Sequence, residues 1–311
     1  MSVNPTLLIV TLTPKGLFEM ISNTYNNYLD YNWDVVTHII FKGLIINQED
    51  YAQVMTQEDC LSYFEAASTY IDWFTVLKEK YPHLKVFWQV ADQFNDFYAF
   101  QDSFWVSLPT VLCQTRADGI YVKLHGKCEI QLRTCQVPII IEPIGCEFRV
   151  LSFFQQFTSI LVINTNVFYD DEHPEEIINN LVDEIDFQKA VLTFEPSMLG
   201  YKKYSDGNSH YTTYPIYHLS KFLFKGTKVG GKYYKFERYF NNDIGVSTLS
   251  LNMPPYSEII TFDSVKTRTK KMELVFKYDF KGCIIGDISN DFFCSHKSSF
   301  ISIFTEFAKT H

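Results

Sequence analysis

Ala117-Asp118-Gly119-Ile120-Tyr121-Val122-Lys123-Leu124-His125-Gly126 is the stretch whose reading decides the fold. From Gly119 onward it alternates, with Ile120, Val122 and Leu124 on one side and Tyr121, Lys123 and His125 on the other. A period of two marks a β-strand with one apolar face. The opposite face carries a phenol, an ammonium and an imidazole in a row. A strand that is apolar toward a helical layer and polar inward suits a barrel, where strand ends and loops carry function.

The rest of the chain repeats the theme. Strands are predicted at Thr6–Thr13, Val35–Phe41, Leu84–Val90, Val137–Glu142, Ser159–Thr165, Ala190–Phe194 and in the Gly282–Asp291 run. Helical spacing falls at Leu17–Leu29, Thr69–Lys80, Phe100–Cys113, Phe148–Phe157, Glu175–Ile185 and Ser299–Ala308. Strand candidates separated mostly by helices predict a parallel (β/α)8 barrel, one domain over residues 1–311. Only about a dozen residues separate the fourth and fifth strands, so the helix between them is expected to be very short or absent. Residues 201–255, irregular and rich in Tyr, Lys and Gly, read as an insert, a small α+β unit or a surface excursion, before the last strand.

The diagnostic strand resembles the fourth barrel strand of glycoside hydrolase family 18, the chitinase-type enzymes. That family has Asp-Gly followed by Asp, Asp and Glu at alternate positions. Asp118 and Gly119 match the opening pair, whereas the two inner carboxylates fall on Tyr121 and Lys123 and the catalytic Glu falls on His125. Other runs resemble the family in order and spacing. Thr37-His38-Ile39-Ile40-Phe41 is similar to Thr-His-Ile-Asn-Tyr, and Val167-Phe168-Tyr169-Asp170 to Met-x-Tyr-Asp. Asp263-Ser264 with Lys271 is similar to the Tyr-Asp-Asp-x-x-Ser segment, and Gly282–Asp291 to the final strand. Two motifs are degraded: Gln89-Val90-Ala91-Asp92 stands for Ser-x-Gly-Gly, and Gly286 for the Trp on which the sugar stacks.

The resemblance implies a substrate-assisted reaction. In it a Glu protonates the glycosidic oxygen, and a neighbouring Asp steadies the cationic intermediate formed by the sugar's own acetamido group. Lys123 would place a cation where that intermediate needs an anion. Reversing one charge at ~4 Å in an effective dielectric of ~20 shifts the interaction by up to roughly 8 kcal/mol. That corresponds to about five orders of magnitude or more in rate. His125, beside Lys123, is expected to be mostly neutral at pH 7 and a poor proton donor. The expectation is a pseudo-enzyme, with the degenerate positions Tyr121, Lys123, His125 and Gly286 and no catalytic residues. Tyr121, Tyr169 and Asp170 remain as candidate carbohydrate contacts.

Composition narrows the classes further. Hydrophobic residues make up 46% and charged residues 20% of 311, which describes a globular chain. A net charge of −9 without a basic cluster argues against a nucleic-acid partner. No segment is long enough to span a bilayer, so no membrane partner is expected. The opening MSVNPTLLIVTLT lacks a basic n-region and a small-residue cleavage site, which predicts an intracellular protein. Seven cysteines without a compact framework read as free thiols. His125, Cys128, Cys135 and Cys146 match no standard zinc spacing, so neither metal nor cofactor is expected.

Three readings stay open. The first is a structural, storage or self-assembling protein, forming a homo-oligomer. The second is a lectin for chitin-type oligosaccharides, supported by Tyr169, Asp170 and Tyr121 and opposed by Gly286, since aromatic stacking supplies much of sugar affinity. The third is a hydrolase with relocated acids drawn from Glu142, Asp170, Glu195 and Asp287, all near strand ends on the functional rim. Lys123 and His125 alternatively read as plugs, with the lysine paired to Asp170 or Glu142 inside a closed barrel.

Overall fold

The computed structural model describes residues 7–22, 31–91, 102–125, 137–144, 148–164, 174–216, 219, 222–223, 227–229, 232–240, 247–253, 256–291 and 296–310. Eight strands form the ring: β1 Leu7–Leu12, β2 His38–Ile46, β3 Lys85–Val90, β4 Gly119–His125, β5 Ile139–Ile144, β6 Ile160–Ile163, β7 Ala190–Phe194 and β8 Gly282–Asp287. Each pairs in parallel with the next, and β8 pairs with β1. The ring closes between β1 and β2, where Ile9 meets His38 and Leu12 meets Phe41. Helices α1 Pro14–Ser22, α2 Ile71–Lys80, α3 Asp102–Gln114, α4 Phe148–Gln155, α5 Pro174–Leu181, α6 Val265–Lys277 and α7 Phe300–Thr310 accompany it. The (β/α)8 barrel expected from the sequence is the observed fold.

Period-two alternation builds two cores from the same strands. Outward residues such as Val10, Phe41, Trp88, Ile120 and Ile141 pack against helix residues including Leu17, Phe74, Phe104 and Met272. Inward residues Ile9, Ile40, Phe87, Tyr121, Ile140, Ile160, Val191 and Ile284 fill the barrel. A parallel sheet buried on both faces reads as continuous apolar runs, as Ile139-Ile140-Ile141 does.

Strand two was predicted at Val35–Phe41, but β2 starts at His38 and runs on to Ile46. Val36 N–H donates to Trp33 O at 3.2 Å, so the first apolar residues form a turn buried beneath the strand. The far end of β2 is held by a short strand, Ala52–Val54, which pairs antiparallel to it outside the ring. The predicted helix at Thr69–Lys80 begins with a 3-10 turn, Ala67–Tyr70, before α2. Between β4 and β5, residues 126–136 lie outside the described residues, and with them the expectation about that connection.

Between β7 and β8 the chain builds a five-stranded antiparallel sheet in the order 209–215, 197–204, 256–262, 247–253, 237–240. Met198, Ile216, Leu249, Ile260 and Phe262 form the core beneath it. Phe262 ends the sheet, and Ser264 caps α6, its hydroxyl accepting from Thr267 N–H at 3.3 Å. The sheet extends beyond residues 201–255 on both sides, because its apolar alternation starts at Met198 and ends at Phe262.

His38 illustrates the cost of a titratable group at the closed end of the ring. Burial, with the nearby Lys85, lowers its pKa to about 4 against an opposing pull from Asp118. Between that value and the ordinary histidine range the unfolded chain binds more protons, so stability falls as pH drops through this window. The folded protein is expected to lose about 3 kcal/mol between pH 6.5 and pH 4 from this group alone. Denaturant melts across that range check it, and His38→Gln should remove most of the slope.

Candidate functional site

The diagnostic strand is divided as its alternation requires. Ile120, Val122 and Leu124 lie in the layer between barrel and helices, while Tyr121 packs in the barrel interior and exposes only 2% of its surface. The Asp-Gly pair sits at the N-terminal end, away from the functional rim. Asp118 Oδ2 accepts from Lys78 Nζ at 2.6 Å and from Val86 N–H at 2.7 Å, pinning α2 and β3 to the start of β4. A side chain at Gly119 would begin 2.3 Å from Pro138 O, so glycine lets β5 approach. These two residues position the strand and carry no chemistry.

Lys123, one pleat closer to the rim, lies in register with Glu142 on β5. Its ammonium stands 3.6 Å from Glu142 Oε2. Glu142 is 2% exposed, and its Oε1 accepts from Asn164 Nδ2 at 2.7 Å. A buried carboxylate is tolerated only when its charge and lone pairs are met, and the lysine and the amide meet them. The pairing of Lys123 with Glu142 anticipated from the sequence is therefore present. Asn164, its third member, carries no signal in the sequence because a lone Asn after a strand resembles any turn residue.

On the other side of the mouth, Glu195 follows β7 and leans over β8. A β-carbon built on Gly286 would lie 2.2 Å from Glu195 Oε2, so the carboxylate occupies the space a side chain at position 286 would need. Glu195 is exposed to water, but the atoms crowded around its carboxylate partly desolvate it. This enclosure raises its pKa; Lys123 opposes the shift, Asp287 adds to it, and Lys271 opposes it. Asp287 closes β8, its Oδ2 accepting from Thr13 Oγ1 and its Oδ1 from Ser289 Oγ, both at 2.7 Å. Burial raises its pKa too, against the pull of those hydrogen bonds. The arrangement is chemically mixed: a lysine-carboxylate pair on one wall, and two carboxyl groups that hold protons more readily than usual on the other.

Of the residues singled out by sequence, the structure brings Lys123, Glu142, Glu195, Gly286 and Asp287 to one end of the barrel. Tyr169 and Asp170 lie outside the described residues, as do Cys128, Cys135, Cys146 and the side chain of His125. Among the described residues no group of three or more His, Cys, Asp or Glu could hold a metal ion. Among them, too, no helix is long and apolar enough to cross a membrane.

No family model matches the sequence, and no curated protein matches it. Solved structures do. The chitinase ChiA74 from Bacillus thuringiensis superposes with a TM-score of 0.71 at 14% identity, over 98% of this chain and 70% of that one. A Group IV chitinase from Ostrinia furnacalis gives 0.69 at 12% identity, over 98% and 100%. YKL-39, solved in the presence of chitooligosaccharides, gives 0.67 at 11% identity, over 98% of each chain. The architecture is that of chitinase-type barrels, as the motif order implied.

Three substitutions test the electrostatics. Lys123→Met removes an ammonium that stands 3.6 Å from the buried Glu142 carboxylate, and is expected to destabilise by about 1–3 kcal/mol, discounted for the partial exposure of the lysine. Lys123→Asp, which places a second carboxylate against the first, should cost more; urea denaturation at pH 7 ranks the two. For Glu195, a raised folded pKa means that stability falls as pH rises from the ordinary carboxylate range to the folded value and stays lower above it. Glu195→Gln should therefore raise the thermal midpoint at pH 8 and leave it nearly unchanged at pH 4.

Proposed function

We propose that this chain is a chitinase-like protein of the glycoside hydrolase family 18 type that has lost substrate-assisted hydrolysis, and that it serves a structural, storage or assembling role. One observation carries the reading. Where the family resemblance places a carboxylate that steadies a cationic intermediate, this chain has Lys123, held 3.6 Å from Glu142. The salt bridge fixes a positive charge at the position and occupies the neighbouring carboxylate. Gly286 supports the same reading, because the stacking surface implied by the resemblance is replaced by an α-carbon covered by the Glu195 carboxylate. Barrel and insert are taken to work as one unit over residues 1–311. Free thiols at Cys60, Cys113 and Cys283 support an intracellular setting.

Binding of a chitin-type oligosaccharide without cleavage remains part of this proposal, with Tyr169 and Asp170 as its contacts. Tyr121, packed inside the barrel, supports the floor of the mouth in this reading. A second reading is favoured by a specific observation: Glu195 and Asp287 both hold protons more readily than ordinary carboxyls, which suits a relocated acid.

N-acetylglucosamine oligomers separate these outcomes. Trp33, Trp73 and Trp88 are buried on the helix side of the barrel, so calorimetry is a better readout of binding than fluorescence. The wild-type protein is expected to release no shorter oligomers over a day's incubation. Release of product would overturn the pseudo-enzyme reading, and its loss in Glu195→Gln would assign the acid to Glu195. Heat of binding without cleavage, abolished by Asp170→Ala, would select the lectin form.

A further inference from the structure

The insert sheet has a second face, opposite its own core of Met198, Leu249, Ile260 and Phe262. Its register places Tyr201, Tyr211 and Ile259 in one row, with Leu199 in the next and Tyr239 beside Thr248. These side chains point away from the core formed by Met198, Leu249 and Ile260. They stand in water: Leu199 is 49% exposed, Tyr211 65%, Tyr239 53% and Ile259 45%. The Tyr201 and Tyr211 rings touch at 4.9 Å and tilt by 44°, so they present an edge and a face rather than one flat platform for a sugar ring. Between them lie uncharged Thr and Ser residues. A row of large apolar and aromatic side chains at the centre of an antiparallel sheet face, with Lys203 and Glu237 set to either side of it, marks an interaction surface.

We propose that this face is a homodimer interface in which two insert sheets pack against each other across a two-fold axis. Three features of the face favour a second copy over another partner. The charged residues at its outward register positions are Lys203 and Glu237, set on opposite sides of the central strand 256–262. A two-fold axis along that strand carries the lysine of each copy across to the side that holds the glutamate of the other. The chain as a whole carries −9, so copies repel one another except where a face is near neutral and self-complementary, as this one is. Finally, five strands about 4.8 Å apart and about 20 Å long offer about 500 Å² on each copy. Two such faces bury about 1,000 Å², the lower limit for a specific interface, which suits a reversible dimer held by sheet-on-sheet packing.

The proposal rests on the assembling form of the function above, yet its test needs no sugar, so the two can fail separately. Sedimentation velocity from roughly 1 µM to roughly 100 µM should show a monomer–dimer equilibrium. Ile259→Asp is expected to weaken it at least about tenfold, and Lys203→Glu by about tenfold. The double exchange Lys203→Glu with Glu237→Lys should restore it, an outcome that misfolding cannot produce. Thermal melts of each variant confirm the fold. A monomer throughout this range overturns the proposal and leaves the loss of hydrolysis standing. So does a dimer indifferent to both Ile259→Asp and the charge reversal, or a monomer that this face attaches to insoluble polysaccharide.

Discussion

Closure of the ring is the constraint on which the rest depends. The β1–β2 pairing joins the two ends of an otherwise open parallel sheet, and from that point every strand is buried on two sides. Inward positions then face one another across a narrow interior that must be filled or neutralised. The lower part is filled by Ile9, Ile40, Phe87, Tyr121 and Ile284. Toward the mouth the inward residues become polar, and burial there demands partners. Lys123, Glu142 and Asn164 answer that demand within one wall, and Thr13, Asp287 and Ser289 within another.

A lysine among the carboxyl groups of the barrel mouth has consequences for packing. A barrel mouth with several carboxylates must be stabilised by ligands, protons or cations, and here one cation is built in. Lys123 neutralises Glu142 and also draws Glu195 toward ionisation, while enclosure and Asp287 push it the other way. The space above Gly286 is filled by the Glu195 carboxylate, so the two positions are sterically coupled. Exchanging one residue alone therefore disturbs its neighbour, and the mouth behaves as one packed unit.

Much of the barrel was legible in the sequence because period-two strands leave a local pattern. Ala190–Phe194 was read with its observed limits, and the inward and outward sides of β4 were assigned correctly. Strand two was misplaced because Val36 is apolar for a different reason: it is buried in a turn beneath the sheet. The insert gave a weaker signal, since Thr, Tyr and Lys alternate there with few branched aliphatics, and only register shows which side is core. Of the site, Glu195 and Asp287 were visible as carboxylates at strand ends. Their grouping with Lys123 was not, because the three lie on strands far apart in the chain.

The sequence by itself determined the parallel barrel, through alternation and the spacing of its elements, and it determined that a lysine, a histidine and a glycine stand at the positions the resemblance assigns to chemistry. Tertiary structure alone decided that Lys123 spends its charge on Glu142, that Glu195 lies over Gly286, and that the insert sheet turns an aromatic face to water. The physical reason is range. Local backbone preference and side-chain periodicity act over a few residues and are written in order along the chain, whereas charge pairing and steric fit act between strands that only the closed ring brings within a few ångströms.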